Sequence, residues 1–324
     1  MVKAIRVEKT GAPGVMKMKD VELAKPGAGE ARVRHTAIGL NFIDIYQRTG
    51  LYPMPLPFTP GQEGAGIVEA VGRGVTHIKP GDRIAYAGPL GSYSEAWNLG
   101  AARLVKVPSE VSDEQAASAM LKGMTAHYLL HSTYKVRKGD TILVHAAAGG
   151  VGLIMCQWAK HLGATVIGTV GTDAKAEAAR AHGCDHTIIY TREDFAPRVR
   201  EITGGEGVHA VYDSIGKDTF EGSLECLRPL GLMAQFGEAS GTPPLVSPSK
   251  LGTLGSVYLT HPSLPHYTAT REDFEASAND LFEVVGSGII KIAIDRTYPL
   301  AEAAQAHIDL AARRTTGSIV LLTG

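Results

Sequence analysis

Apolar and polar residues alternate in short runs along the first third of the chain, and glycine and proline separate the runs. Alternation with a period of two is typical of strands that bury one face. Turns are expected at Pro26-Gly27, Pro60-Gly61 and Pro80-Gly81, because Gly and Pro favour the dihedral angles of tight turns. The pattern predicts a compact β-rich domain with strands at 3–8, 30–38, 65–71, 83–87 and 103–107.

The apolar spacing becomes helical from Asp113 onwards. Beyond Gly139, strand and helix patterns alternate strictly, which predicts βαβ units and a mainly parallel sheet. Six such strands match the doubly wound dinucleotide fold, in which the ligand lies at the carboxyl ends of the strands. The predicted strands are 141–145, 165–170, 186–189, 209–212, 232–236 and 256–259, and the predicted helices are 151–162, 174–182, 195–203 and 220–227.

The segment that follows Pro262 is too short to fold alone. It carries two helical patterns, at 274–285 and 301–312, and two strand patterns, at 290–294 and 318–322. We expect it to return to the first domain. The predicted organisation is an α/β chain in which a Rossmann domain, 125–262, is inserted into a β-rich catalytic domain made of 1–124 and 263–324.

Composition narrows the classes of partner. The 324 residues have 44% hydrophobic and 20% charged side chains, a formal net charge of -1 and no long run of like charges. Nucleic acid is therefore not expected as the main partner, nor is a membrane. Three scattered cysteines predict neither a disulfide framework nor a zinc knuckle, and neither a signal peptide nor a spanning apolar run is evident. These features predict a cytoplasmic protein.

The stretch from Ala146 to Gly152 follows the first strand of the βαβ region and opens a helix. Gly149 would let the backbone approach a pyrophosphate, Gly152 would let the helix pack closely on the strand, and the helix N-terminus would supply amide donors. Ala147 replaces the first glycine of the usual fingerprint, and the alternative is that small residues merely permit close packing. The predicted cofactor contacts of this loop are Ala148, Gly149, Gly150, Val151 and Gly152.

The end of the second strand of this region determines which cofactor is expected. Enzymes that prefer NAD place an acidic residue there to hold the ribose hydroxyls. Here Gly171 and Thr172 follow the strand, and Lys175 comes within the next helical turn, where it could pair with a 2′-phosphate. NADPH is therefore the predicted cofactor. In the alternative interpretation, Lys175 is a solvated surface lysine and Asp173 only caps the helix.

Several segments together resemble a known family: Gly39 to Tyr46, Gly50 to Pro53, Gly61 to Gly66, His145 to Gly152, Val211 to Ser214 and Thr316 to Ser318. From end to end the chain is similar to the zinc-free NADPH:quinone oxidoreductases, the zeta-crystallin-like group of the medium-chain dehydrogenases/reductases. The resemblance implies a GroES-like catalytic domain, quinone reduction with a quinone stacked in an interdomain cleft, and a homodimer. We expect the two copies to pair through the edge strand at 256–259.

Zinc relatives in the same superfamily use cysteine and histidine as metal ligands in the first and third of these segments. Here Asn41 stands near the cysteine position and Gln62 replaces the histidine, so no metal is predicted. His127, His131 and His145 remain as scattered histidines.

The resemblance also implies individual roles. Asn41, Asp44 and Tyr46 would line the cleft near the nicotinamide, with Tyr46 donating to a quinone oxygen and Asn41 orienting the cofactor ribose or carboxamide. In the local alternative, Asn41 and Asp44 only cap a short helix. Ser318 departs from relatives that have lysine, which puts a cofactor role there in doubt. Further cofactor contacts are implied at Thr125, Tyr190, Ser214, Phe236 and Gly237.

Two other functions compete with NADPH-dependent quinone reduction. One is the reduction of an α,β-unsaturated ketone or enoyl thioester, because related reductases share the scaffold. The other is a crystallin or RNA-binding role without catalysis, against which the neutral charge counts.

Overall fold

A computed structural model describes all residues from Met1 to Gly324. The chain forms two compact units. The first unit contains 1–124, 268–287 and 292–324, and the second contains 125–267 and 288–291. Each unit has its own sheets and hydrophobic core.

The first unit is built on a seven-stranded, mainly antiparallel sheet, in which β3 pairs with β4, β6 and β15. Strands β1 and β2 form a separate antiparallel pair, and isolated bridges join β1 to Phe58 and Ser94 in the connecting segments. Only β14 and β15 pair in parallel. The strands are β1 Val2–Val7, β2 Met16–Val21, β3 Glu30–Leu40, β4 Glu63–Val71, β5 Arg83–Ala87, β6 Ala96–Gly100, β7 Leu104–Lys106, β14 Ile294–Pro299 and β15 Ser318–Leu322.

Helices cover parts of this sheet because their apolar stripes need a surface on which to bury. Helix α1, Phe42–Thr49, follows β3 directly, and α2, Asp113–Tyr128, begins in this unit and continues into the second. Helix α9 spans Arg271–Gly286 and α10 spans Ala303–Ala311. Ala303 and Ala306 of α10 join Ile38, Leu40 and Leu321 in one buried cluster, which ties the returning segment to the first part of the unit.

The second unit contains a six-stranded sheet in the order β10-β9-β8-β11-β12-β13, with every pair parallel. Its core consists of fully buried aliphatic residues such as Leu143, Ile167 and Val211. The strands are β8 Thr141–Val144, β9 Thr165–Val170, β10 His186–Ile189, β11 Val208–Asp213, β12 Leu227–Gln235 and β13 Tyr258–Thr260; the helices are α3 Gly150–His161, α4 Asp173–Ala181, α5 Phe195–Ile202, α6 Phe220–Glu225, α7 Pro248–Thr253 and α8 Leu264–Tyr267.

The predicted fold class is confirmed: a doubly wound parallel sheet is inserted into a β-rich unit. The strand predicted at 290–294 is wrong, because β14 begins only at Ile294 and carries mostly exposed residues. Ile290 is buried, so its apolar character reflects core packing and not a strand. Strands β2 and β6 were not predicted.

Local contacts explain where the second unit ends. Tyr267 stacks on Tyr128 with ring centroids 4.4 Å apart, and its hydroxyl accepts from Thr133 at 3.0 Å. Residues 263–267 therefore belong with the second unit. Residues 288–291 belong there too, because the Gln157 side chain bonds both backbone groups of Lys291. No helix in the protein has both the length and the apolar character needed to cross a bilayer.

Candidate active site

One edge of the parallel sheet gathers the residues predicted to bind the dinucleotide. Because all six strands are parallel, their carboxyl ends lie on the same side of the sheet. The loops that leave β8, β9, β10, β11 and β12 all emerge there. They carry the loop from Ala146 to Gly152, then Gly171 and Thr172, Tyr190, Ser214, and finally Phe236 with Gly237.

The loop between β8 and α3 is a tight turn with no room for larger side chains. Ala146 adopts a left-handed conformation with φ 50°, and its carbonyl accepts from Gly149 N at 2.8 Å. A Cβ on Gly152 would lie only 2.3 Å from Ala146 O. Gly149 is the N-cap of α3 and no side chain caps that helix, so its first amides are available to an anion.

The end of β9 is free of acidic groups in the positions nearest the strand. Thr172 is the N-cap of α4 and its Oγ1 accepts from Lys175 N at 3.3 Å. The alternative in which Asp173 caps α4 is therefore wrong: its carboxylate instead forms a two-point ion pair with the guanidinium of Arg192. Lys175 is half-buried in the first turn of α4.

Tyr190 lies against the loop after β9. Its backbone N–H donates to Val170 O at 3.1 Å, and its side chain is 43% exposed. A Cβ on Gly171 would lie 2.9 Å from the Tyr190 hydroxyl. The absence of a side chain at Gly171 therefore lets the tyrosine hydroxyl lie close to the loop after β9.

A buried carboxylate organises the loop after β11. Asp213 Oδ1 accepts from the backbone N–H groups of Ile215 and Gly216, at 2.7 and 3.0 Å, and from Thr219 Oγ1. This network fixes the path of the chain around Ser214. Gly237 lies alongside, since a Cβ there would be 2.9 Å from Ser214 O, and Phe236 N donates to Asp213 O.

Other predicted residues have simpler surroundings. Thr125 is half-buried on α2, at the first position of the second unit. Ser318 is buried at the start of β15 and donates to Ser118 O at 3.4 Å. His145 is a core residue, held between the hydroxyls of Thr169 and Ser223. The rings of His127 and His131 pack against each other and against Trp158 in tilted and edge-on arrangements.

In the first unit, Asn41 belongs to a buried polar cluster. Its Nδ2 donates to Glu63 Oε2 at 2.8 Å, and the same oxygen accepts from Lys122 Nζ at 2.8 Å. Leu121 N donates to the other carboxylate oxygen at 2.8 Å. The Lys122 and Glu63 side chains are only 6% and 0% exposed. We call Asn41, Glu63 and Lys122 the Glu63 cluster.

Asp44 lies one helical turn into α1 and is fully buried. Its Oδ2 accepts from Asn41 N at 2.9 Å, as in a capping box, and from the Tyr93 hydroxyl at 3.1 Å. Burial raises the pKa of Asp44 to about 7. The Tyr93 hydroxyl also bonds His307 Nε2 at 3.0 Å, and burial lowers the pKa of that imidazole to about 3.

Tyr46 is buried on α1, with 8% of its surface exposed. Its ring packs against Tyr52, with centroids 5.2 Å apart, and against Phe42 at 6.2 Å. The structure thus places Asn41 and Asp44 in one capping arrangement, and Tyr46 in an aromatic group beside it. A direct role of the three side chains toward an acceptor stays a prediction.

Sequence reasoning missed Glu63, Lys122, Tyr93, His307 and Asp213 as site residues. A signal existed for Lys122, because a lysine between Leu121 and Met124 in an apolar helical run requires a buried partner. No group of three or more His, Cys, Asp or Glu side chains is arranged to hold a metal ion, and the absence of a metal from the protein stays a prediction.

Comparisons with known proteins match this architecture. The model for the alcohol dehydrogenase GroES-like domain matches residues 27–139, and that for the zinc-binding dehydrogenase domain matches 150–283. A quinone oxidoreductase of Pseudomonas aeruginosa is 54% identical over 99% of this chain and 100% of its own. A 2-haloacrylate reductase of Burkholderia sp is 50% identical over 99% of both chains.

A solved structure agrees over the same length. The Escherichia coli quinone oxidoreductase complexed with NADPH superposes with a TM-score of 0.97 at 48% identity, covering 99% of both chains. The chain therefore belongs to the quinone oxidoreductase family of the medium-chain dehydrogenases/reductases.

Proposed function

We propose that this protein reduces quinones with NADPH. One observation carries the proposal. The tight glycine turn before α3 lies at the same sheet edge as the end of β9, and no acidic residue directly follows that strand. That combination suits a phosphorylated dinucleotide. The quinone oxidoreductases of P. aeruginosa and E. coli, which match over their whole length, support the choice of acceptor.

The residues present fit the dinucleotide. At Gly152, Gly171 and Gly237 an added Cβ would clash with neighbouring protein atoms, so only glycine lets these segments lie so close together at the sheet edge. The first amides of α3 would hold the pyrophosphate. Lys175 would pair with the 2′-phosphate, while Tyr190 would offer its ring to the adenine. When bound, NADPH supplies a hydride from its nicotinamide ring.

Reduction of a quinone makes modest demands on the protein, because the conjugated ring accepts a hydride without strong acid catalysis. The main contribution of the protein to the rate is to hold the nicotinamide and the quinone close together in the right orientation. Asn41 is well suited to positioning, since its carboxamide is held by Glu63 in a nearly dry environment. Tyr46, one turn further along α1, would donate a hydrogen bond to a quinone oxygen.

The decisive assay follows NADPH oxidation with 1,4-benzoquinone, 1,2-naphthoquinone and an enone as acceptors. We expect turnover of the quinones. Turnover of the enone alone would refute quinone reduction, and binding of NADPH without turnover of any acceptor would favour a non-catalytic role. The wild-type chain is compared with Asn41→Ala, which should retain NADPH binding and lose most quinone turnover.

The second candidate is reduction of a carbon–carbon double bond conjugated to a carbonyl group. It is favoured by the Burkholderia relative, whose name specifies a 2-haloacrylate as substrate. When hydride adds to the double bond of a 2-haloacrylate, negative charge develops on the carbon next to the carboxylate and on the carboxylate itself. A positively charged side chain would be needed to stabilise it. Adding 2-chloroacrylate to the acceptor panel distinguishes the candidates directly, because it has no quinone ring.

The preference for NADPH is tested at Lys175. Replacing Lys175 by alanine should raise the KM for NADPH about tenfold, because a charge-assisted contact with phosphate is lost, and leave that for NADH nearly unchanged. Lys160→Ala is the matched control: Lys160 lies in the last turn of α3 and pairs with Asp185, at the opposite edge of the sheet. Equal effects of Lys175→Ala on both cofactors would contradict the assignment.

We further propose a homodimer and a cytoplasmic location. Strand β13 is an edge strand, and Tyr258 on it is 59% exposed, which suits pairing with a second copy. Tyr258→Lys should yield monomers in light scattering, whereas Ile308→Lys, at an exposed position of the first unit, should not. A dimer that survives Tyr258→Lys would refute this edge. All three cysteines are free thiols, which suits a reducing compartment.

A further inference from the structure

A buried ion pair lies next to Asn41. Lys122 Nζ and Glu63 Oε2 are 2.8 Å apart, and the two side chains are 6% and 0% exposed. Because both charges leave water, a pair of this kind seldom stabilises a fold more than apolar side chains of the same volume would. The pair therefore calls for a role other than stability.

Glu63 fixes the rotation of the Asn41 carboxamide. A carboxylate can only accept hydrogen bonds, so Asn41 must present its Nδ2 to Glu63 and turn its oxygen away. The carboxylate itself is immobile, since Leu121 N and Lys122 Nζ also donate to it. The chain has made room for it: a Cβ on Gly39 would lie 2.2 Å from Glu63 Oε2.

Lys122 keeps the cluster electrically neutral. Without the ammonium group, a buried carboxylate would lie beside Asn41 with no compensating charge. A buried carboxylate without a cationic partner is costly, and it would turn toward other donors or water. Lys122 thus keeps Glu63 in the place from which it orients Asn41.

We propose that Glu63 and Lys122 are positioning residues that act on quinone reduction through Asn41. The inference rests on the proposed function, because the orientation of Asn41 matters only if an acceptor is reduced beside it. It adds to that function two residues that touch neither acceptor nor cofactor, and it predicts that their effects disappear when Asn41 is absent.

A double-mutant cycle tests this dependence. Lys122→Met and Glu63→Gln should each lower kcat for 1,4-benzoquinone roughly 10- to 100-fold, the usual consequence of a misplaced catalytic group. Lys122→Arg, which keeps the charge, should recover most of the loss. In the Asn41→Ala background, Lys122→Met should cause no further loss. The control is Lys3→Met, which breaks a half-exposed pair with Asp20 in the same unit and should leave kcat unchanged.

A second measurement does not depend on turnover. In the protein without cofactor, the side-chain amide NMR signal of Asn41, identified by its loss in Asn41→Ala, should shift in Glu63→Gln and Lys122→Met and stay in place in Lys3→Met. Each rate is divided by the folded fraction measured by circular dichroism. If Lys122→Met does not fold, Glu63→Gln takes its place in the cycle with Asn41→Ala.

The outcomes distinguish a failure of the role proposed for Asn41 from a failure of the roles proposed for Glu63 and Lys122. If Asn41→Ala keeps full quinone turnover, the proposed role of Asn41 fails and the inference fails with it. If Asn41→Ala loses turnover but Lys122→Met lowers kcat further by the same factor in both backgrounds, Lys122 does not act through Asn41. In that case the inference is overturned while the proposed function stands.

Discussion

Replacing Gly152 by alanine should damage dinucleotide binding more than any other single methyl group added to the second unit. The new Cβ would lie 2.3 Å from Ala146 O and 2.8 Å from two backbone atoms of Ala147. Ordinary van der Waals contact begins at 3.4 Å, so α3 would have to move away from the loop by about 1 Å, the difference between 3.4 and 2.3 Å. All the atoms in contact belong to the backbone, so no side chain can swing aside.

The displacement predicts two measurable effects. Overpacking of this size destabilises a fold by about 1–3 kcal/mol. An error of ~1 Å in the placement of binding groups can lower their contribution by up to about 100-fold. We therefore expect the Kd for NADPH, measured by titration calorimetry, to rise by roughly 10- to 100-fold, together with an earlier urea unfolding transition.

Two other glycines serve as graded controls in the same unit. A Cβ on Gly149 would lie 3.2 Å from Ala146 O, a contact that a shift of a few tenths of an ångström relieves, and a Cβ on Gly252 in α7 would meet nothing within 4 Å. Gly149→Ala should have an intermediate effect, and Gly252→Ala should be neutral or slightly stabilising. If Gly152→Ala binds NADPH within about threefold of Gly252→Ala, the loop does not hold the pyrophosphate as we infer.

Three further predictions concern buried polar groups. Burial lowers the pKa of His35 to about 4, below its unfolded value, so the free energy of unfolding falls as the pH drops from about 6.5 to about 4. In urea titrations, His35→Gln should reduce this loss of stability by about 3 kcal/mol. Burial raises the pKa of Asp44 to about 7, so the folded state holds this proton more tightly and stability falls as the pH rises from about 4 to about 7; Asp44→Asn should remove that decline, and an unchanged pH profile would contradict it. Asp213→Ala removes the acceptor of four hydrogen bonds. Although Asp213 does not contact the cofactor itself, the change should weaken NADPH binding by loosening the Ser214 loop. Unchanged binding in calorimetry would show that the Ser214 loop is not part of the site.

Periodicity predicted most of the second unit because its inner strands are buried on both faces and glycine follows several of its helices. Strands β9 and β10 lie where the pattern placed them. The prediction failed where a strand is not buried or where a buried residue is not in a strand. Strand β14 is a polar edge strand, and β2 alternates methionine with exposed lysine, so neither gives a strong apolar signal.

The two clusters differ in predictability because their sheets differ. In a parallel sheet every strand delivers its carboxyl end to one edge, so residues after β8 to β12 could be placed together from the strand pattern alone. In the antiparallel sheet of the first unit, successive strands end at opposite edges. Glu63 and Lys122 are 59 residues apart and Tyr93 and His307 are 214 apart. Such pairings depend on which strands become neighbours, and local sequence patterns do not specify this. The only local signal for them is a charged residue inside an apolar helix, as at Lys122.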